Sequence, residues 1–89
     1  MYQPKDSLTA YNAETALQAG LQAIATGQRE MDLAQLGTVD SAAVATLLAW
    51  KRAAAQQGVS LAFHHMPANL QSLADLYGVG ELLEPQPPV

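Results

Sequence analysis

The stretch Met31-Asp32-Leu33-Ala34-Gln35-Leu36-Gly37-Thr38-Val39-Asp40-Ser41-Ala42-Ala43-Val44-Ala45-Thr46-Leu47-Leu48-Ala49-Trp50 decides the fold. Its first part, Glu30 to Leu36, alternates apolar with polar at Met31 and Leu33, the period of a half-buried strand. Gly37-Thr38-Val39-Asp40 reads as a loop. Asp40 or Ser41 then caps a helix, because either oxygen can accept from the free amides of a first turn. The alanine-rich run that follows favours helix strongly and extends to Gln57, where Gly58 stops it. Ala43, Leu47, Trp50 and Ala54 recur on one face, with Val44, Leu48 and Ala55 on the flank. Lys51 falls inside this arc, so its ammonium must snorkel outward.

Outward from this unit the pattern repeats. Leu8-Thr9-Ala10-Tyr11 reads as a short strand. Asn12 caps a helix over about 12–26, where Leu17, Leu21 and Ile24 share a face and Gly27 supplies the stop. On the C-terminal side, Val59, Leu61 and Phe63 alternate with Ser60, Ala62 and His64 as another half-buried strand. Pro67 opens a helix with Leu70, Leu73, Ala74 and Tyr77 on its face, ended by Gly78, and Val79–Leu83 forms a last apolar segment. The order (β)αβαβα implies an α/β fold: a small sheet, parallel or mixed, of three to four strands. One apolar face per helix puts the helices mainly on one side and leaves the other open. The domain spans 8–83. Residues 1–7 are expected to be a disordered or stub-strand start, and 84–89 a Pro-rich, frayed tail.

Composition narrows the function. The chain has 89 residues, 49% of them hydrophobic and only 13% charged. That suits one small folded domain with part of its surface covered by a partner. Four basic residues against eight acidic give a net charge of −4, the wrong sign for nucleic acid or anionic lipid headgroups. No cysteine is present, which removes thiolate chemistry and Cys-type zinc sites. No apolar run reaches membrane-span length, and the N-terminus lacks a signal-peptide core, so the expected location is the cytoplasm.

Few residues are placed for chemistry. Ser41 sits at a helix N-terminus, where a phosphate would meet amides and the positive dipole end; it reads as an ordinary cap or as a phosphoacceptor. His64 and His65 are adjacent on a strand and point to opposite faces, so they do not share a metal; one is expected packed and the other solvated. Glu14, Glu30, Asp32 and Asp75 read as solvated. Tyr77 reads as structural. Trp50 is either a core edge or an interface anchor. No Walker motif, Gly-rich phosphate cradle or nucleophile elbow occurs. No cofactor and no enzyme activity are expected.

The segment Met31–Trp50 resembles the STAS domain: an Asp-Leu strand, a loop ending Val-Asp-Ser, then a helix. Asn69-Leu70-Gln71-Ser72-Leu73-Ala74-Asp75-Leu76-Tyr77-Gly78-Val79 is similar to the MlaB-type branch, and the likeness covers about 8–83. It implies a non-catalytic domain that docks on the ATPase subunit of an ABC system moving phospholipid between the membranes of Gram-negative bacteria. It would thus be held peripherally at the inner membrane through that partner, without inserting. Thr38, Asp40, Ser41 and Ala42 would face the ATPase, with Ala45 and Trp50 further along the helix. The alternative is an anti-anti-sigma factor, with Ser41 phosphorylated by an anti-sigma kinase. Val39 directly before Asp40, and Ala42-Ala43 after Ser41, depart from that class. STAS domains begin with an extra strand; here it is either missing or reduced to a stub at Tyr2–Lys5. The bare edge this leaves suggests a homodimer by strand pairing.

Overall fold

The computed structural model describes residues 1–83; the tail expected over 84–89 lies outside the described residues. The elements are β1 (Asp6–Leu8), α1 (Ala13–Ala25), β2 (Glu30–Asp32), β3 (Leu36–Val39), α2 (Ser41–Gln56), β4 (Ala62–His64), α3 (Ala68–Leu76) and α4 (Gly80–Leu83). All strand pairing is parallel: β1 with β3, and β2 with β4. Tyr2 bridges Met31, also in parallel, and the Asp32 amide donates to the Tyr2 carbonyl at 3.0 Å. Residues 2–8 therefore run beside 31–39, and Met31 has Tyr2 on one side and Phe63 on the other. The result is a small α/β fold with two short two-stranded parallel sheets, β1–β3 and β2–β4, joined by the Tyr2–Met31 bridge, in place of the single three- to four-stranded sheet expected.

Period-two alternation sorts the two faces. Met31 and Phe63 point into the core, while Glu30, Asp32, Ala62 and His64 stay partly open to solvent. The core joins them to Leu8, Ile24, Leu33, Leu36, Leu47, Trp50, Leu61, Leu70 and Leu83. Trp50 and Leu47 come from the predicted face of α2, and α1 packs beside it.

Three strand expectations need correction. The strand expected over Leu8–Tyr11 lies at Asp6–Leu8. Asn12 causes this. Its Oδ1 accepts from the Thr9 amide at 2.8 Å and its Nδ2 donates to the Ser7 carbonyl at 2.8 Å, which folds Thr9–Tyr11 into a turn. Asn12 thus stands at the cap position of α1 without bonding a helix amide. The strand expected over 30–36 breaks in two, and Gly37–Val39, expected as loop, belongs to β3. Asp32 makes the break: its Oδ1 accepts from the Ala34 amide at 3.0 Å, and the Leu36 amide donates to the Leu33 carbonyl at 3.1 Å. This is an Asx-type turn without glycine or proline. The strand expected from Val59 is short, Ala62–His64 only.

Helix ends follow local chemistry. α2 starts on the Asp40 cap, and Gly58, at φ +75°, takes the left-handed conformation that ends it. α3 stops at Leu76, so Tyr77 is a cap residue, 54% exposed, not the buried face residue expected. The outer edge formed by residues 2–8 contains Pro4 and a kink at Asp6, whose φ is +65°. The Ser7 amide is turned back on the Lys5 carbonyl at 2.8 Å. These features interrupt an edge, so the self-pairing expected of a bare strand has only a short stretch to work with.

Candidate docking site at the start of helix α2

Asp40 organises the site. Its backbone is extended and its Oδ1 accepts from the Ala42 amide at 2.8 Å, closing the cap of α2. Its Oδ2 accepts from the Ala10 amide at 3.1 Å. One carboxylate thus ties the β1–α1 turn to the first turn of α2. Asn69, at the start of α3, donates from Nδ2 to the Gly37 carbonyl at 2.8 Å. Asp40 thus holds the β1–α1 turn at the start of α2, and Asn69 ties the start of α3 to β3, the strand that leads into α2.

Ser41 is the first helical residue and is exposed. Since Asp40 supplies the cap, the two readings of Ser41 separate: the hydroxyl does no capping and makes no hydrogen bond among the described residues. Asp40→Ala should lower stability by about 1–2 kcal/mol, whereas Ser41→Ala should change it by less than about 0.5 kcal/mol. Urea denaturation of both variants measures this, and equal losses would return Ser41 to the cap. The Ala43 amide also bonds the Asp40 carbonyl, at 2.9 Å. A phosphate on Ser41 would therefore find the Ala42 and Ala43 amides taken and the Asp40 carboxylate beside it.

Among the other predicted contact residues, Thr38 is exposed on β3, Ala42 is half-buried, and Ala45 is exposed one turn after Ser41. Trp50 is the correction: it is 0% exposed. Its Nε1 donates to the Leu17 carbonyl at 3.1 Å, and its ring meets Tyr2 edge-on at 5.8 Å between centroids. A side chain sealed between α1 and the N-terminal segment cannot anchor a partner. Burial also pushes the Tyr2 hydroxyl pKa up.

Two aromatic residues not expected at the surface flank the site. Tyr11 is fully exposed in the turn that Asp40 holds. Tyr77 shares with Ser41, Val44, Ala45, Leu48 and Val79 a shallow, mainly apolar groove of about 220 Å³. Tyr11 carried one usable signal, its place just before Asn12 in a turn. Tyr77 carried none, because only the early end of α3 exposes it.

The histidines lie elsewhere. His64 Nε2 lies 3.0 Å from Glu30 Oε1, and His65 Nδ1 lies 3.1 Å from Asp32 Oδ1. Glu30 and Asp32 are thus paired rather than merely solvated. Among the described residues no group of three or more His, Cys, Asp or Glu is arranged to hold a metal. The Ala34 amide, then Gln3 Nε2 at 2.8 Å, then His65 hold the Asp32 carboxyl below its usual range. A lowered folded-state pKa contributes stability above the unfolded value, about 3.9, that is lost as pH falls through the folded value. Melting temperature followed from pH 6 downward should fall more steeply in the wild type than in Asp32→Asn, starting below about pH 5.

No helix among the described residues is long and apolar enough to cross a membrane. No curated protein matches the chain. Residues 5–84 match the family model described as Mlab, STAS domain, and this span takes in the Asp40–Ser41 helix start, the Asn69 clamp and every strand and helix of the fold. The chain therefore belongs to the MlaB-type STAS domain family.

Proposed function

We propose that this domain is the accessory subunit that docks on the ATPase of an ABC-type phospholipid (Mla) transport system and regulates it, lying at the cytoplasmic face of the inner membrane through that partner. Family membership supports the coarser part, a non-catalytic interaction or regulatory domain. One observation carries the site: an exposed serine hydroxyl on the first residue of a helix whose cap is already supplied by its neighbour. Nothing in the fold uses that hydroxyl, so it is available to a partner. Ala45 beside it lets another backbone approach closely, and Tyr11 and Tyr77 offer aromatic anchors of the kind enriched at interfaces.

The test is co-purification with the ATPase subunit from the source organism, followed by titration. Ser41→Ala should weaken binding about fivefold, the loss of one hydrogen bond. Ser41→Glu, which adds charge beside Asp40, should weaken it by more than about tenfold. Both variants should melt close to the wild type. The anti-anti-sigma reading rests on the same exposed hydroxyl. Its signature is recovery of a kinase-like partner and a phosphate on Ser41, and that result would displace the transporter reading.

A further inference from the structure

The turn between β1 and α1 reaches α2 through a hydrogen bond to one side chain. Within the turn, the Thr9 amide donates to Asn12 Oδ1 at 2.8 Å and the Tyr11 amide to Thr9 Oγ1 at 3.3 Å. Both bonds stay between neighbours in sequence. The Ala10 amide instead crosses the fold and donates to Asp40 Oδ2 at 3.1 Å. Among the described residues this is the one hydrogen bond that ties Thr9–Tyr11 to a distant element. The other oxygen of the same carboxylate accepts from the Ala42 amide at 2.8 Å. Tyr11 follows Ala10 and is fully exposed, so no neighbour packs its ring in place. Its position relative to Ser41, the residue after Asp40, therefore runs through the two oxygens of one side chain.

We infer that Asp40 is a positioning residue for docking: besides capping α2, it sets Tyr11 beside Ser41, so that ring and hydroxyl meet the partner together. This rests on the docking reading proposed above. The gain is preorganisation. Binding must order whatever the unbound protein leaves loose, and a turn ordered beforehand lowers that cost. The residue type fits the task. A helix cap needs one accepting oxygen, and serine or asparagine supplies it as well as aspartate does. Of these caps only aspartate has a second accepting atom to offer the Ala10 amide, because asparagine carries an NH2 donor there and serine carries nothing.

Asp40→Asn and Asp40→Ser test this, since both keep a capping oxygen and lose the acceptor for Ala10. Each should melt within about 5 °C of the wild type, the effect of one exposed hydrogen bond. In 15N relaxation of the full chain, the Ala10 and Tyr11 amides should show order parameters near 0.85, roughly those of rigid backbone, in the wild type and below about 0.6 in both variants, with α2 unchanged. Titrated with the ATPase subunit, Asp40→Asn should bind about fivefold more weakly and Tyr11→Ala at least about tenfold more weakly. Adding Asp40→Asn to Tyr11→Ala should cost less than about a further twofold, because both changes remove the same contact. Losses that add would mean that Asp40 acts without Tyr11 and would overturn the inference. A turn that stays ordered in both variants would overturn it too. A wild-type chain that binds no ATPase would instead overturn the docking reading, and the positioning role with it.

Discussion

Trp50→Ala should cost about 3–5 kcal/mol, the range for truncating a large aromatic in a packed core. Trp50 is fully buried, near the middle of α2, and touches both α1 and the N-terminal segment. Its loss leaves a cavity that three elements line, and it removes the only donor described for the Leu17 carbonyl outside helix α1. A chain of 89 residues, at roughly 0.05–0.15 kcal/mol per residue, has about 4–13 kcal/mol in total. The variant should therefore be unfolded, or melt more than about 12 °C lower, as circular dichroism would show. A Trp50→Ala protein that melts normally and only loses partner binding would restore the interface role expected from sequence.

The contrast between Trp50 and Asp40 shows what the sequence could disclose. α2 was legible because its signals are local: an Asp cap, an alanine-rich body with an apolar arc, and a glycine stop at Gly58. The Asp40–Ser41 site was legible for the same reason. Trp50 lies on the face that the spacing marks as apolar, but whether it is a core edge or fully enclosed is set by α1, where its Nε1 meets the Leu17 carbonyl, and spacing within α2 does not report that. The break between β2 and β3 holds no glycine or proline, because Asp32 makes the turn with its own side chain and the apolar–polar alternation runs through it unchanged. Asn12 has the residue type and position of a cap, but its side chain bonds the preceding turn instead. Tyr77 followed the apolar spacing of α3, yet the helix ends one residue before it. Period and cap chemistry thus fix elements, whereas depth and exposure come from contacts between elements.

Gly20 is the other half of the Trp50 arrangement, and it yields the second large effect. Gly20 lies buried within α1, where alanine would ordinarily add about 1 kcal/mol of helix stability. A Cβ at this position would overlap the Trp50 indole at Cε2, Nε1 and Cζ2. The indole is enclosed and held by its bond to Leu17, so it has nowhere to turn. Gly20→Ala should therefore destabilise by about 2 kcal/mol or more, with overpacking outweighing propensity. The sign should depend on Trp50. Phenylalanine at position 50 lacks the indole nitrogen edge that a Cβ would strike, so Gly20→Ala in a Trp50→Phe background should be neutral or stabilising by up to about 1 kcal/mol. Urea unfolding of the four proteins in this double-mutant cycle measures the coupling, which should reach at least about 2 kcal/mol. Additive effects would mean that α1 and α2 do not close on each other through this notch, and that Trp50 owes its burial to the N-terminal segment instead.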